Sequence, residues 1–212
     1  MNRIIKAALL SLTAGFMLVA CQREDVKPTT ATEKSADLGN LYKASAASTL
    51  PQASCTIPYI ITLESITPDN GNYIWVWSVK NPNPGNGNNG TVQDLSHWDM
   101  VLNNCGPTGA QLSDIVSAGI SSNGSSWSNF TPTLQQDPSI MNTCGIATGN
   151  VLKFNQGTSG SAKTYYRLVV SRDFEVNYSG VAYYKSGNRT KCGHQCFPGI
   201  GCEVKTPCST CN

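Results

Sequence analysis

The sequence predicts an all-β fold, an antiparallel β-sandwich of Ig-like or jelly-roll-like type with a disulfide-rich C-terminal tail. Three observations support this. The apolar residues come in short bursts rich in β-branched and aromatic types. Glycine and asparagine are plentiful between those bursts, where turns are needed. No stretch keeps a helical apolar period long enough for a substantial helix.

The elements follow in chain order. Residues 57–66 (IPYIITLESI) form the first strand candidate. Residues 73–80 (YIWVWSVK) return as the second, with the PDNGN of 68–72 between them. An Asn-Gly pair suits a two-residue hairpin turn, because both positions accept positive φ. The run NPNPGNGNNG (81–90) is a loop, since its prolines and glycines exclude regular structure. It lacks the Lys-Ser/Thr ending of a phosphate-binding loop, and no helix opens after it.

In LSHWDMVLNNC (95–105), strand alternation puts Trp98, Met100 and Leu102 on one face. His97, Asp99 and Val101 take the other. Residues 110–120 suit a short helix or a strand, and 123–133 read as a loop. Residues 150–155, 164–171 and 174–187 are three further strands. At least six strands at this spacing make a sandwich. There is no internal repeat.

The N-terminus sets the expected compartment. Arg3 and Lys6 precede an apolar stretch from Ala7 to Met17, too short to span a bilayer and laid out like a secretion signal. Leu18-Val19-Ala20-Cys21 then resembles the lipobox of bacterial lipoproteins at all four positions. The resemblance implies cleavage before Cys21, a diacylglycerol thioether on its sulfur and acylation (palmitate) of its amine. Several acyl chains together give stable anchoring without a transmembrane helix. Gln22 in place of aspartate favours the outer membrane. Arg23-Glu24-Asp25 loosely resembles the acidic export patch of Bacteroidota-type surface lipoproteins, which implies the cell surface over the periplasmic face.

This organises the chain. Residues 1–20 are the signal peptide, 21–54 a lipidated tether, 55–187 the sandwich and 188–212 a Cys-rich cap. The tether carries Lys, Thr, Ala and Ser without an apolar pattern. Cleavage removes Arg3 and Lys6 and no acidic residue, which leaves the mature chain formally neutral. A neutral, sparsely charged chain argues against nucleic acid as a partner.

A second resemblance covers roughly residues 70–184. LSHWDMVLNNC, GNVLKFN and YYRLVV are similar to secreted β-sandwich modules of uncharacterised cell-surface proteins. It implies the fold and brings no settled activity.

Few residues suggest chemistry. The two histidines are His97 and His194. His97 lies between Asp94 and Asp99, which raises the alternative of a secreted hydrolase built on those three residues. No serine or cysteine motif accompanies them, and GTSGSAK lacks both a nucleophile-elbow pattern and Ser-x-x-Lys spacing. Asp69-Asn70-Gly71-Asn72 has oxygen ligands but too few carboxylates for a calcium loop. No metal and no cofactor are expected.

Aromatic rings give the affirmative reading. In WVW and the two YY pairs, adjacent or alternating positions cannot all point one way. Outward rings among Trp75, Trp77, Trp98, Trp127, Tyr166 and Tyr184 are the candidates for stacking on a glycan or anchoring an envelope protein.

With Cys21 lipidated, eight cysteines remain: Cys55, Cys105, Cys144, Cys192, Cys196, Cys202, Cys208 and Cys211. An even number in an exported protein reads as disulfides. The expected set pairs Cys105 with Cys144, ties Cys55 to the tail and closes two local bridges in the tail. The alternative is zinc on Cys192, His194, Cys196 and one more cysteine, but an oxidising compartment removes the thiolates zinc requires. The sequence therefore predicts an exported, lipid-anchored and non-enzymatic binding or structural module.

Overall fold

The computed structural model describes residues 57–102 and 109–201. Two five-stranded antiparallel sheets stack face to face around one aromatic core. The strands are β1 (Ile60–Asp69), β2 (Asn72–Lys80), β3 (Leu95–Met100), β4 (Ile115–Ser121), β5 (Ser128–Phe130), β6 (Leu134–Gln135), β7 (Val151–Phe154), β8 (Lys163–Val170), β9 (Glu175–Ser186) and β10 (Cys192–Gly201). The first sheet runs β1-β2-β8-β4-β5 and the second β10-β9-β3-β7-β6. The expected sandwich is thus the fold.

Local chemistry explains the first hairpin. Asn70 and Gly71 take φ of 49° and 82°, the positive values that join β1 to β2 in a two-residue turn. The ambiguous 110–120 stretch resolves into a 3-10 turn (Leu112–Asp114) followed by β4. Two short edge strands, β5 and β6, occupy or adjoin the stretch expected to be a loop.

The sequence reading missed a short helix, α1 (Pro138–Cys144). Asp137 caps it by accepting the N–H groups of Ser139 and Ile140, Pro138 opens it, and Gly145 ends it at φ 69°. Seven residues are too few to show an apolar period, but the Asp-Pro opening and the closing glycine were legible signals.

The core follows from strand alternation. Trp75, Trp77 and Val79 of β2, and Tyr166, Leu168 and Val170 of β8, face Trp98 and Met100 of β3 and Leu152 and Phe154 of β7. Trp98 lies at the centre. Its ring stacks on Phe154 at 4.8 Å and meets Tyr166 and Phe197 edge-on at 5.2 and 5.6 Å. Trp75 and Trp77 are two positions apart, so both point inward, with ring centroids 5.6 Å apart.

Two expectations about the tail need correction. The segment from 188 is not a separate cap at its start, because Cys192–Gly201 is an edge strand paired along β9. Its alternation is hidden by glycines at inward positions. Gly193 is one of them, and a Cβ there would meet the Tyr184 hydroxyl at 2.4 Å and its ring at 2.7 Å. Cys144 bonds to Cys192, not to Cys105, and so ties the end of α1 to the start of β10. The helix that the sequence reading missed carries Cys144 toward this edge strand. Cys196 is also disulfide-bonded. Cys21, Cys55, Cys105, Cys202, Cys208 and Cys211, the signal peptide and the whole tether lie outside the described residues.

Candidate functional site

The outer face of the second sheet carries a buried polar cluster. Because β3 alternates, His97 and Asp99 point away from the core that Trp98 and Met100 fill. Cross-strand register extends the row, with Lys153 of β7 and Tyr183 of β9 both opposite Asp99, and His194 of β10 opposite Tyr183. The cap residue Asp137 comes down on this face just before α1.

Asp137 is the hub. Its Oδ2 receives His97 Nε2 at 2.7 Å and Lys153 Nζ at 2.8 Å. Its Oδ1 accepts the Ser139 hydroxyl at 2.6 Å and the Ser139 N–H at 2.7 Å. The Asp137 N–H donates to Thr148 Oγ1 at 3.0 Å. Burial works against charge on Asp137. The hydrogen bonds from Lys153 and from the Ser139 hydroxyl and N–H outweigh it and hold its carboxyl well below the usual range. The pKa of His97 is lowered as well: burial and the Lys153 ammonium disfavour its cation, and contact with Asp137 only partly offsets them. A neutral His97 then donates Nε2–H to Asp137 and presents Nδ1 toward the Ser96 hydroxyl, 3.4 Å away.

Asp99 differs from the other members. It is fully buried, and neither carboxylate oxygen has a hydrogen-bond donor. Burial first, then the neighbouring negative charge of Asp137, pushes its pKa up to about 8. A buried polar group without a partner costs roughly 1–3 kcal/mol, and more when charged. Such a group calls for an explanation.

Ser139 does not complete a serine-type relay, and Ser96, on the nitrogen opposite Asp137, lies a long 3.4 Å from Nδ1. Such a relay needs the serine and the carboxylate on opposite nitrogens of the imidazole. Here His97 Nε2 faces both Asp137 and Ser139 Oγ, the latter at 3.2 Å. Asp94 is not a member. It is exposed and accepts the Gly160 N–H at 2.7 Å, locking a loop. The expected trio of Asp94, His97 and Asp99 is thus corrected to His97, Asp99 and Asp137, with Lys153 and Ser139 beside them. An open depression nearby, lined by Gln135, Gln136, Pro138, Met141 and Asn142, includes none of these five.

Most of the predicted ring platform is core. Trp75, Trp77, Trp98 and Tyr166 are fully buried and cannot stack on a ligand. Tyr184 is half-buried and points inward, its ring edge-on to Tyr59 at 5.4 Å. Trp127 alone of the six keeps a surface position independent of the core, on the outer face of the first sheet. The Arg167 guanidinium lies 4.6 Å over its ring and donates to Asn129 Oδ1 at 2.9 Å. Gly119 sits in register between Arg167 and Asn129. A Cβ there would stand 3.5 Å from the Trp127 ring and 3.0 Å from Asn129 Oδ1, so the glycine lets the indole lie close to the sheet.

The zinc alternative for the tail is also overturned. Cys192 and Cys196 are both in disulfides, which leaves His194 without thiolate companions on its own strand. His194 packs against Tyr183 instead, with ring centroids 5.9 Å apart. Comparison of the chain with family models, with curated proteins and with solved structures finds no match.

Proposed function

We propose that this chain is an exported, lipid-anchored surface protein of the outer membrane, and that its sandwich is a non-enzymatic binding module for a glycan or an envelope protein. The lipobox-like Leu18-Val19-Ala20-Cys21 supports the address. The disulfides at Cys144–Cys192 and Cys196 fit an oxidising compartment.

The observation that carries the binding role is the Trp127–Arg167–Asn129 group. A half-buried indole, a stacked guanidinium and a side-chain amide on an open sheet face combine an apolar surface with hydrogen-bonding groups. Sugars and polar protein loops are recognised by that combination.

Two experiments test this. Radiolabelled palmitate should mark the wild type, and Cys21→Ala should lose the label and leave the membrane fraction. A glycan array, with cross-linking to envelope extracts in parallel, should show ligand capture that Trp127→Ala abolishes without unfolding. Capture unchanged by Trp127→Ala and Arg167→Ala would remove the proposed surface. Turnover of a captured glycan would overturn the non-enzymatic reading.

A further inference from the structure

We infer that His97, Asp99 and Asp137 form a binding site for a first-row divalent cation, with Lys153 as the countercharge that competes with it. One ligand atom from each of the three residues lies within 4.8 Å of the others. Atoms bound at about 2.0–2.2 Å to one ion lie about 3–4 Å apart, so small side-chain shifts would complete the geometry.

An independent observation is the orphaned Asp99 carboxylate. It is fully buried, aimed into this cluster, and has no donor on either oxygen. Lys153 lies directly across from it in register, yet the ammonium goes to Asp137 Oδ2. Protein groups thus satisfy Asp137 and give Asp99 no donor; with the His97 proton moved from Nε2 to Nδ1, where the Ser96 hydroxyl oxygen would accept it, a cation at Nε2 would reach both carboxylates at once.

Charge and donor type narrow the ion. With Asp99 deprotonated on binding, two carboxylates and a neutral imidazole carry a charge of −2, which a divalent ion balances. The Lys153 ammonium then becomes surplus. Its side chain is 18 % exposed, so it has a route outward. An imidazole among the ligands favours zinc and its later first-row neighbours over calcium, magnesium and manganese, which prefer oxygen-rich sites. The outer contacts are already in place. Ser139 holds Asp137 Oδ1 through its hydroxyl and N–H, freeing Oδ2, and Ser96 approaches His97 Nδ1.

The test uses the full chain in detergent, oxidised and stripped with chelator. Titration with Zn²⁺ by calorimetry should show one equivalent bound. The Co²⁺ adduct should show d–d bands without a thiolate charge-transfer band. Asp99→Asn keeps the side-chain shape and removes a buried carboxylate, so it should fold and lose more than about tenfold in affinity. Lys153→Met removes the competitor and should bind more tightly. Absence of stoichiometric uptake, uptake unchanged by Asp99→Asn, or a thiolate band would each overturn the assignment. Weaker binding by Lys153→Met would overturn the competing role given to the ammonium.

Discussion

Trp77 of the first sheet donates its indole N–H to the carbonyl of Pro198 in the second, 121 positions later, at 2.7 Å. The same ring packs at 6.4 Å from Phe197, so one side chain joins the two sheets by a polar and an apolar contact. Trp77→Phe would keep much of the apolar contact and leave the Pro198 carbonyl without its donor. The expected loss is about 1–3 kcal/mol. Trp77→Ala should cost more, about 3–5 kcal/mol, because it also opens a cavity. Urea denaturation followed by tryptophan fluorescence would measure both.

Cys144–Cys192 closes a loop with a sequence separation of 48. The double variant Cys144→Ser/Cys192→Ser should lose about 2–4 kcal/mol, most of it through a less constrained unfolded chain. Non-reducing peptide mapping should find Cys144 linked to Cys192 in the wild type. A linkage of Cys144 to Cys105 would refute this pairing.

The polar cluster predicts opposing pH dependences in chelator-treated protein. Asp99 has its pKa raised from 3.8 to about 8, so between those values the native state keeps a proton that the unfolded chain has released. Its contribution to stability therefore falls as pH rises through that window. His97, with its pKa lowered from 6.5, acts in the opposite sense, because below 6.5 the unfolded chain gains the proton more readily. Asp137, depressed from 3.8, stabilises above that value and loses its contribution only in strong acid. From pH 6.5 to 8 the Asp99 slope dominates this cluster, at no more than about 1.4 kcal/mol per pH unit. Asp99→Asn should flatten that slope in denaturation curves taken at half-unit intervals. A slope equal to the wild type's would show that Asp99 is ionised in the folded state.

Gly157 tests the close approach between a loop and β3. A Cβ at this position would stand 1.9 Å from the Leu95 carbonyl oxygen, a contact that only backbone movement could relieve. The adjoining Leu95 N–H to Thr158 carbonyl bond, at 3.0 Å, would be strained with it. Gly157→Ala should therefore destabilise by about 1–3 kcal/mol. Gly145→Ala has open space around its Cβ and should show only the cost of its positive φ, about 1 kcal/mol. Thermal melts of the two variants would separate steric from conformational cost.

Local pattern in the chain specifies the fold class, most strand positions, the Asn70-Gly71 turn and the faces of β3. Each of these depends on alternation or on a backbone preference within a few residues, and short-range pattern carries that information. The outer face of β3 was completed only by tertiary structure. His97 and Asp99 were legible as neighbours on one side of a strand. Their partners Asp137, Ser139 and Lys153 arrive from a helix cap and a second strand, and local spacing holds no record of such pairings. The same limit explains Cys144–Cys192, since Cys144 ends a helix that the sequence reading missed. It also explains the tryptophans. Alternation shows that Trp75 and Trp77 share a face, but only the second sheet, packing against that face, made it the inside.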